Sequence, residues 1–363
     1  MFKRCFLLVL FLVSVCAFSQ TLSGKVIDKK TGAPVEDASV FIENSSVGTT
    51  TEKDGSFHLT LPENLQSKII VSAFGYAFYV ISSPKPQENL VISLSLDENE
   101  MAEMVIDANV FTRKEMLKAF RHFFLGKTQN GKKARILNEK DISLYFDTQT
   151  NTLSAFTDKP VEIENKNLGY KVRFHLEAFS VTFKFKTLEP RQYTNNVFYG
   201  YSQFFDTAKG ESGKRKNRQK TYQESAAHFF KELAENTLDD TNFLIYTNGF
   251  PITVSDYFQS SEYERGYRIS ILKKPTRKRP KVTLTAISGG SNLNLNSNSA
   301  YEEIEIPFNV MSHKTRNAST LYIKSATIDI DKNGNLHNPE SVFFSGYFGD
   351  LKVADMLPVD YQP

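Results

Sequence analysis

SGKVIDKKTGAPVEDASVFIENSSVGTTTEKDGSFHLTLP, residues 23–62, decides how the first part of this chain folds. Val40 and Ile42 alternate with Ser39, Phe41 and Glu43, and Phe57, Leu59 and Leu61 alternate with Ser56, His58 and Thr60. Such a period of two sends successive side chains to opposite faces of a strand. Val26, Val40 and Phe57 are therefore expected to fill an interior. Between the strand patterns lie KKTGAP (29–34) and EKDG (52–55). Glycine makes the positive φ of such turns cheap, and Pro34 stiffens the exit. Working outward, the same grammar recurs in TLSGKVID, DASVFIE, GTTTE, SFHLTL, KIIVSAF, YAFYVIS and NLVISLSL. Seven short strands within residues 21–96 read as a small β-sandwich.

The stretch also carries a signature. G-x-V-x-D-x-x-T-G-x-P-V-x-x-A-x-V runs from Gly24 to Val40, and T-x-x-D-G-x-F from Thr51 to Phe57. In these residues the chain resembles the carboxypeptidase-regulatory-like domain, a transthyretin-like seven-stranded sandwich. The resemblance covers roughly residues 21–96. It implies an accessory domain without catalytic residues, of the kind that begins many exported Gram-negative proteins, including the N-terminal extensions of TonB-dependent outer-membrane receptors. Only about 260 residues follow, too few for a 22-stranded barrel.

Upstream, MFKRCFLLVLFLVSVCAFSQ has Lys3 and Arg4, an apolar run from Cys5 to Phe18 broken only by Ser14, and small residues at Ala17 and Ser19. This predicts a secretory signal peptide, residues 1–19, cut before Gln20. Lipidation at Cys16 needs a small residue before it, and Val15 is not one. Both cysteines lie in the leader, so a disulfide, thiolate metal site or cysteine nucleophile is not expected beyond it. Losing Lys3 and Arg4 lowers the formal charge from +3 to +1. That balance argues against nucleic acid as a partner. With 30 Phe, 16 Tyr and no Trp, the composition leans toward strands. No later run is long enough for a transmembrane helix.

The expected organisation is a leader (1–19), the sandwich (20–98), a charged linker (99–110) and a second domain (111–363). The second domain opens on a helix. Thr112 and Glu115 form a capping box, Phe111 is placed to staple onto Met116, and Gly126 ends it. Met116, Leu117, Phe120, Phe123 and Phe124 share its apolar face. A second helix is expected over about 217–236, with Tyr222, Ala226, Phe229, Phe230 and Leu233 inward. ISLYFD and TLSAFT flank a TQTN turn as a hairpin. Val172, Phe174 and Leu176 alternate with Lys171, Arg173 and His175, and Val181, Phe183 and Phe185 repeat the pattern. Further strands are read at FLIYT, YRISIL, KVTLTAI, STLYIKSATIDI and ESVFFSGYF. The fold class is mainly β: a sandwich, then an α+β domain with an antiparallel sheet and one or two covering helices. RKEMLKAFRHFFLG, TNTLSAFTDKPVEIENKNLGYKV, SAAHFFKELAENTL and FFSGYFGDLKVADMLPVDYQP resemble segments of uncharacterised exported proteins of the Bacteroidota type, over most of 110–363. That resemblance implies no activity.

Chemical signals are sparse. DIDKNGNLHNPE (329–340) places Asp329, Asp331, Asn333, Gly334, Leu336 and Glu340 at EF-hand spacing. Its flanks read as strands, whereas that loop needs helices. His337 and Glu340 make an H-x-x-E pair, but no histidine follows to complete a zinc site, and His313 lies upstream. The favoured reading is a hairpin turn between paired strands, Asp331-Lys332-Asn333-Gly334, with Asn333 and Gly334 supplying positive φ. No G-x-S-x-G, Walker or dinucleotide motif is present. His58, His122, His175, His228, His313 and His337 are scattered and read as surface or packing residues. GKRKNRQK (213–220) and KKPTRKRPK (273–281) read as solvated basic runs, with phosphate or lipopolysaccharide as the sharper alternative. No catalytic, cofactor or metal residue is assigned. The expected function is an exported non-enzymatic binding or scaffold protein of the periplasm or outer membrane, the sandwich serving as docking module. Its partner would be an envelope protein or glycan. The alternative is a cell-envelope hydrolase with its site in the C-terminal domain.

Overall fold

The computed structural model describes residues 20–62, 67–82, 84–97, 110–238, 242–264, 266–280 and 301–363. The expected leader, the linker except its last residue, and the KVTLTAI strand (281–287) lie outside the described residues. The chain is mainly β and divides into two units. One runs to Val105 and takes in Tyr201–Phe204; the other comprises Ile106–Gly200 and Phe205–Pro363.

The first unit has seven strands: β1 (Gln20–Asp28), β2 (Ser39–Ile42), β3 (Gly48–Thr50), β4 (Ser56–Leu61), β5 (Ile69–Ser72), β6 (Tyr79–Ile81) and β7 (Gln87–Leu94). They form two sheets, ordered β4-β1-β7 and β3-β2-β5-β6. β1 is antiparallel to β4 and parallel to β7. Val26, Val40 and Phe57 are buried, as the alternation requires. The register of β1 on β7 shifts between Leu22 and Gly24. There a Cβ on Gly24 would lie 2.0 Å from the Leu90 carbonyl oxygen. Only glycine allows that approach of two backbones.

The D-x-x-T-G part of the signature builds a corner. Asp28 Oδ1 accepts from the backbone N–H groups of Lys30 (2.9 Å) and Thr31 (2.7 Å) and from the Thr31 hydroxyl (2.9 Å). Its Oδ2 accepts from the Tyr76 hydroxyl at 3.0 Å. The Thr31 backbone bond, followed by the two hydroxyl bonds, holds the Asp28 carboxyl below its usual range.

Phe41 departs from the alternation: it is fully buried, packed with Ile70 and Tyr201. The piece Tyr201–Phe204 joins this unit through Asn44 N–H to Ser202 O (2.8 Å) and Phe204 N–H to Ser45 O (2.9 Å). A period of two describes a strand with one wet face, and β2 has apolar contacts on both.

The second unit begins with α1 (Arg113–Leu125), α2 (Gln129–Lys133), β8 (Ala134–Ile136), β9 (Ser143–Asp147), β10 (Thr152–Phe156), β11 (Val161–Asn165), β12 (Tyr170–Phe183) and β13 (Tyr193–Asp206). The sheet order is β8-β11-β12-β10-β9, with β13 also paired to β12. The capping box of α1 is present and Gly126 has φ 91°. Phe120 meets Phe179 at 4.7 Å, Phe124 meets Phe174 at 5.1 Å and Phe123 meets Phe183 at 5.8 Å, so the apolar face lies on β12. Phe111 rests edge-on against Phe146.

A second core follows. It is built from α3 (Ser212–Gln223), α4 (Ala226–Glu235), β14 (Phe243–Thr247), β15 (Phe250–Pro251), β16 (Phe258–Tyr263), β17 (Gly266–Ile271), β18 (Thr276–Pro280), β19 (Tyr301–Glu305), β20 (Phe308–Ser312), β21 (Ala318–Ile323), β22 (Thr327–Ile330), β23 (Val342–Gly346) and α5 (Tyr347–Asp350). β15-β14-β20-β21-β23 and β16-β17-β22 are antiparallel sheets, and β18 pairs β19. Phe229, Phe230 and Leu233 of α4 pack with Phe243, Phe308, Leu321 and Ile330 between them. The helix expected over 217–236 is thus two helices. Ser225 breaks it: its hydroxyl accepts the His228 N–H (3.1 Å) as an N-cap and donates to Tyr222 O (2.7 Å).

β12 also departs from simple alternation, because Phe174 and His175 are both buried while Leu176 is half-exposed. Burial, reinforced by the Arg173 charge, pushes the His175 imidazole down to about 4 from 6.5. The unfolded imidazole then takes a proton at higher pH than the folded one. Stability from this residue is full above about pH 6.5 and falls as pH drops toward 4. A loss of about 2 kcal/mol is expected between about pH 7.5 and pH 5. Urea midpoints at the two pH values measure it, and His175→Gln is expected to flatten the difference. An unchanged pH slope in that variant would count against this cause.

Candidate functional site

The break at Ser225 brings Tyr222, at the end of α3, against His228, on the first turn of α4, with ring centroids 5.0 Å apart. His228 Nδ1 faces Gln223 O at 3.1 Å and Nε2 faces Glu232 Oε1 at 3.2 Å. His228 and Glu232 are one helical turn apart, which puts them on one face. Asn242, just before β14, donates its side-chain amide to the same Oε1. Glu232 Oε2 is buried with no donor among the described residues.

Tyr222, His228 and Glu232 border a cavity of about 260 Å³. Gln219, Tyr222 and Gln223 of α3 form one wall; His228, Lys231, Glu232 and Glu235 of α4 form the other. Burial, then the nearby Glu235 charge, pushes the Tyr222 phenol up to about 12. Tyr267 of β17, bonded to Glu235, is raised for the same reasons, burial first. Both phenols therefore stay protonated donors. The cavity thus combines the Tyr222 and His228 rings, two glutamine amides, the Glu232 and Glu235 carboxylates and one lysine. It suits hydrogen-bonded capture of a small polar group. Both ring nitrogens of His228 are already committed to oxygens, so the imidazole is not placed as a free general base.

The DIDKNGNLHNPE segment lies beside α4 and is a turn builder. Asp331 is buried, and its carboxylate accepts Asn333 N–H (2.8 Å), Asn335 N–H (2.9 Å) and the Asn335 side-chain amide (2.9 Å). Asp329 is held by Arg268 through two bonds of 2.7 Å. His337 Nδ1 pairs with the Tyr263 hydroxyl at 3.0 Å, and Glu340 is the middle residue of a short 3₁₀ turn, Pro339–Ser341. The hairpin between paired strands is not what forms. β22 pairs with β17 and β23 with β21. The turn closes only on the Ile330–Leu336 bridge, with Asp331 N–H to Asn335 O and His337 N–H to Asp329 O, each 2.9 Å. Gly334 has φ 90°, while Asn333 keeps a negative φ. Pairing over distance, invisible in a local pattern, sets these partners. Among the described residues no three His, Cys, Asp or Glu side chains cluster as metal ligands do.

Of the six histidines, His228 alone borders the cavity. His58 and His337 are exposed; His122 and His313 are half-buried; His175 is in the first core of its unit. The His228–Glu232 pair was missed because the histidines were weighed singly. The i, i+4 spacing on an amphipathic helix was the available signal. The Asn242 contact left no trace in the sequence.

Residues 22–106 match the family described as CarboxypepD_reg-like domain. No curated protein matches the chain. The matched region covers the seven sandwich strands except the first two residues of β1, and the cavity residues lie outside it. Among the described residues no helix is long and apolar enough to cross a membrane.

Proposed function

We propose that this chain is an exported, non-enzymatic binding protein of the cell envelope, periplasmic or at the outer membrane. The sandwich is its docking module and the second unit holds a partner or ligand. One observation carries the reading: the aromatic, polar cavity of the second unit has its histidine fixed between Gln223 O and Glu232 rather than set beside a nucleophile. The N-terminal resemblance to accessory domains of exported proteins supports the same direction, and so does the leader pattern ending at Ser19.

The test has two parts. Envelope-fraction protein is expected to begin at Gln20 by N-terminal sequencing; a retained Met1 or a lipid on Cys16 would overturn the export assignment. Purified protein is expected to be inert toward chromogenic esters, peptides and glycosides. Turnover that disappears in Glu232→Gln would establish the hydrolase alternative instead.

A further inference from the structure

Asparagine followed by glycine occurs three times, at Asn130-Gly131, Asn248-Gly249 and Asn333-Gly334. In such a pair the glycine nitrogen is able to attack the asparagine side-chain carbon, because no glycine side chain shields it. The attack needs that nitrogen uncommitted. It also needs a backbone able to rotate until the two atoms face each other. The three pairs are alike in sequence and differ in three dimensions.

Asn130-Gly131 is locked inside α2. Asn130 is buried and donates its amide to Thr221 Oγ1 (3.1 Å) and Asp355 Oδ1 (3.0 Å), while Gly131 N–H donates to Thr128 Oγ1 (3.1 Å). Asn333-Gly334 is locked beside α4. Asn333 donates its amide to Val359 O (3.0 Å), and the buried Gly334 donates its N–H to Asp331 O (3.1 Å). Asn248-Gly249 is instead the exposed two-residue turn between β14 and β15, with φ 52° and 85°. The Asn248 amide donates to Thr276 O at 3.2 Å, on the surface. Among the described residues nothing accepts from the Gly249 N–H. A Cβ built on Gly249 would have nothing within 4 Å, whereas on Gly131 and Gly334 it would meet a carbonyl oxygen at 2.4 Å and 1.9 Å. The nitrogen is uncommitted, and the space to rotate exists, at Asn248-Gly249.

We propose that Asn248 is a self-modification site, which deamidates and forms isoaspartate in the folded protein. The inference goes beyond the ligand-binding reading of the cavity and does not depend on it. The Gly249 nitrogen gives up its proton and bonds to Asn248 Cγ. The Cγ–Nδ2 bond breaks, and ammonia leaves. The product is a cyclic imide, which water then opens. Breaking the new N–Cγ bond leaves an ordinary aspartate. Breaking the nitrogen's bond to the main-chain carbonyl carbon leaves isoaspartate, with the chain running through the side chain. Water is the one co-reactant, and nothing is oxidised or reduced. Either product adds a negative charge. Isoaspartate also adds a backbone atom to a turn whose β15 is held by the pairs Tyr246–Pro251 and Thr247–Phe250.

Incubation of the purified chain in mildly alkaline buffer tests it, once folded and once in concentrated urea. Peptide mass spectrometry in ¹⁸O-labelled water locates each converted asparagine, and methyl transfer by an isoaspartyl methyltransferase counts isoaspartate. In the folded chain Asn248 is expected to convert at least about tenfold faster than Asn130 or Asn333, which react only after local opening. In urea the three rates are expected to converge, because the sequence pair is then all that distinguishes them. Asn248→Gln, whose longer side chain closes the five-membered ring no longer, is expected to remove most methyl acceptance from the folded protein at an unchanged melting temperature. Three results would overturn the inference: conversion of Asn130 or Asn333 as fast as Asn248 in the folded chain, an Asn248 that stays intact when folded yet converts in urea, or unchanged methyl acceptance in Asn248→Gln.

Discussion

Arg218→Met is expected to lower the stability of the second unit by about 3–4 kcal/mol, the largest effect of any single side chain on α3. The guanidinium is a hub. Nε donates to Leu168 O at 2.7 Å, Nη2 to Gly169 O at 3.0 Å, and the fork meets both Asp206 oxygens at 2.8 Å. Its Cζ lies over the Tyr170 ring, 3.9 Å from the ring centre. Removing it strands the Asp206 carboxylate and two carbonyls in a largely buried place, and an uncompensated charge is what makes such deletions expensive. Arg218→Lys is expected to recover little, since one ammonium cannot copy the planar fork. Asp206→Asn added to Arg218→Met should restore part of the loss by removing the stranded charge. Urea unfolding followed by far-UV circular dichroism measures all three. A loss below about 1 kcal/mol for Arg218→Met would show the pair to be ornamental.

Gly334→Val should destabilise by about 3 kcal/mol, from two sources that add. A β-branched residue at φ 90° is strained by about 1–2 kcal/mol. Beyond that, a Cβ at this position would sit 1.9 Å from Ala227 O and 3.0 Å from Lys231 Cβ, so the loop has to move off α4. The double change Asp329→Ala, Glu340→Ala should do less harm, because the Asp329–Arg268 pair is largely exposed. Thermal melts with and without calcium distinguish turn from metal loop. A calcium-dependent rise in the wild-type midpoint, lost in the double variant, would restore the metal reading.

How much of this was legible depended on the range of the interaction. The α1 caps were legible because Thr112, Glu115 and Gly126 act within a turn of themselves. The sandwich interior at Val26, Val40 and Phe57 followed from alternation. Phe41 did not, because Tyr201 covers it from far along the chain. The helix break at Ser225 has no glycine or proline to announce it; only the cap bond to His228 marks it. At DIDKNGNLHNPE the turn was readable from Gly334, but the partners of β22 and β23 were not, since sheet pairing is chosen by the whole unit. The bond from Asn242 to Glu232 joins residues ten apart, which spacing alone does not dictate.

The parallel pairing of β1 with β7 bears on when the sandwich is able to fold. β1 precedes the other strands, yet Val26 finds Ile92 and Asp28 finds Leu94 only after β2 to β6 exist. Closing so long a loop loses chain entropy before any pairing compensates for it, so formation is governed by non-local contact order. A nascent chain that stops short of β7 leaves one edge of β1 unpaired, with Gly24 unable to shield it by a side chain. Closure of this domain is therefore a late, all-at-once event, on the slow millisecond-to-second side of folding times for β proteins.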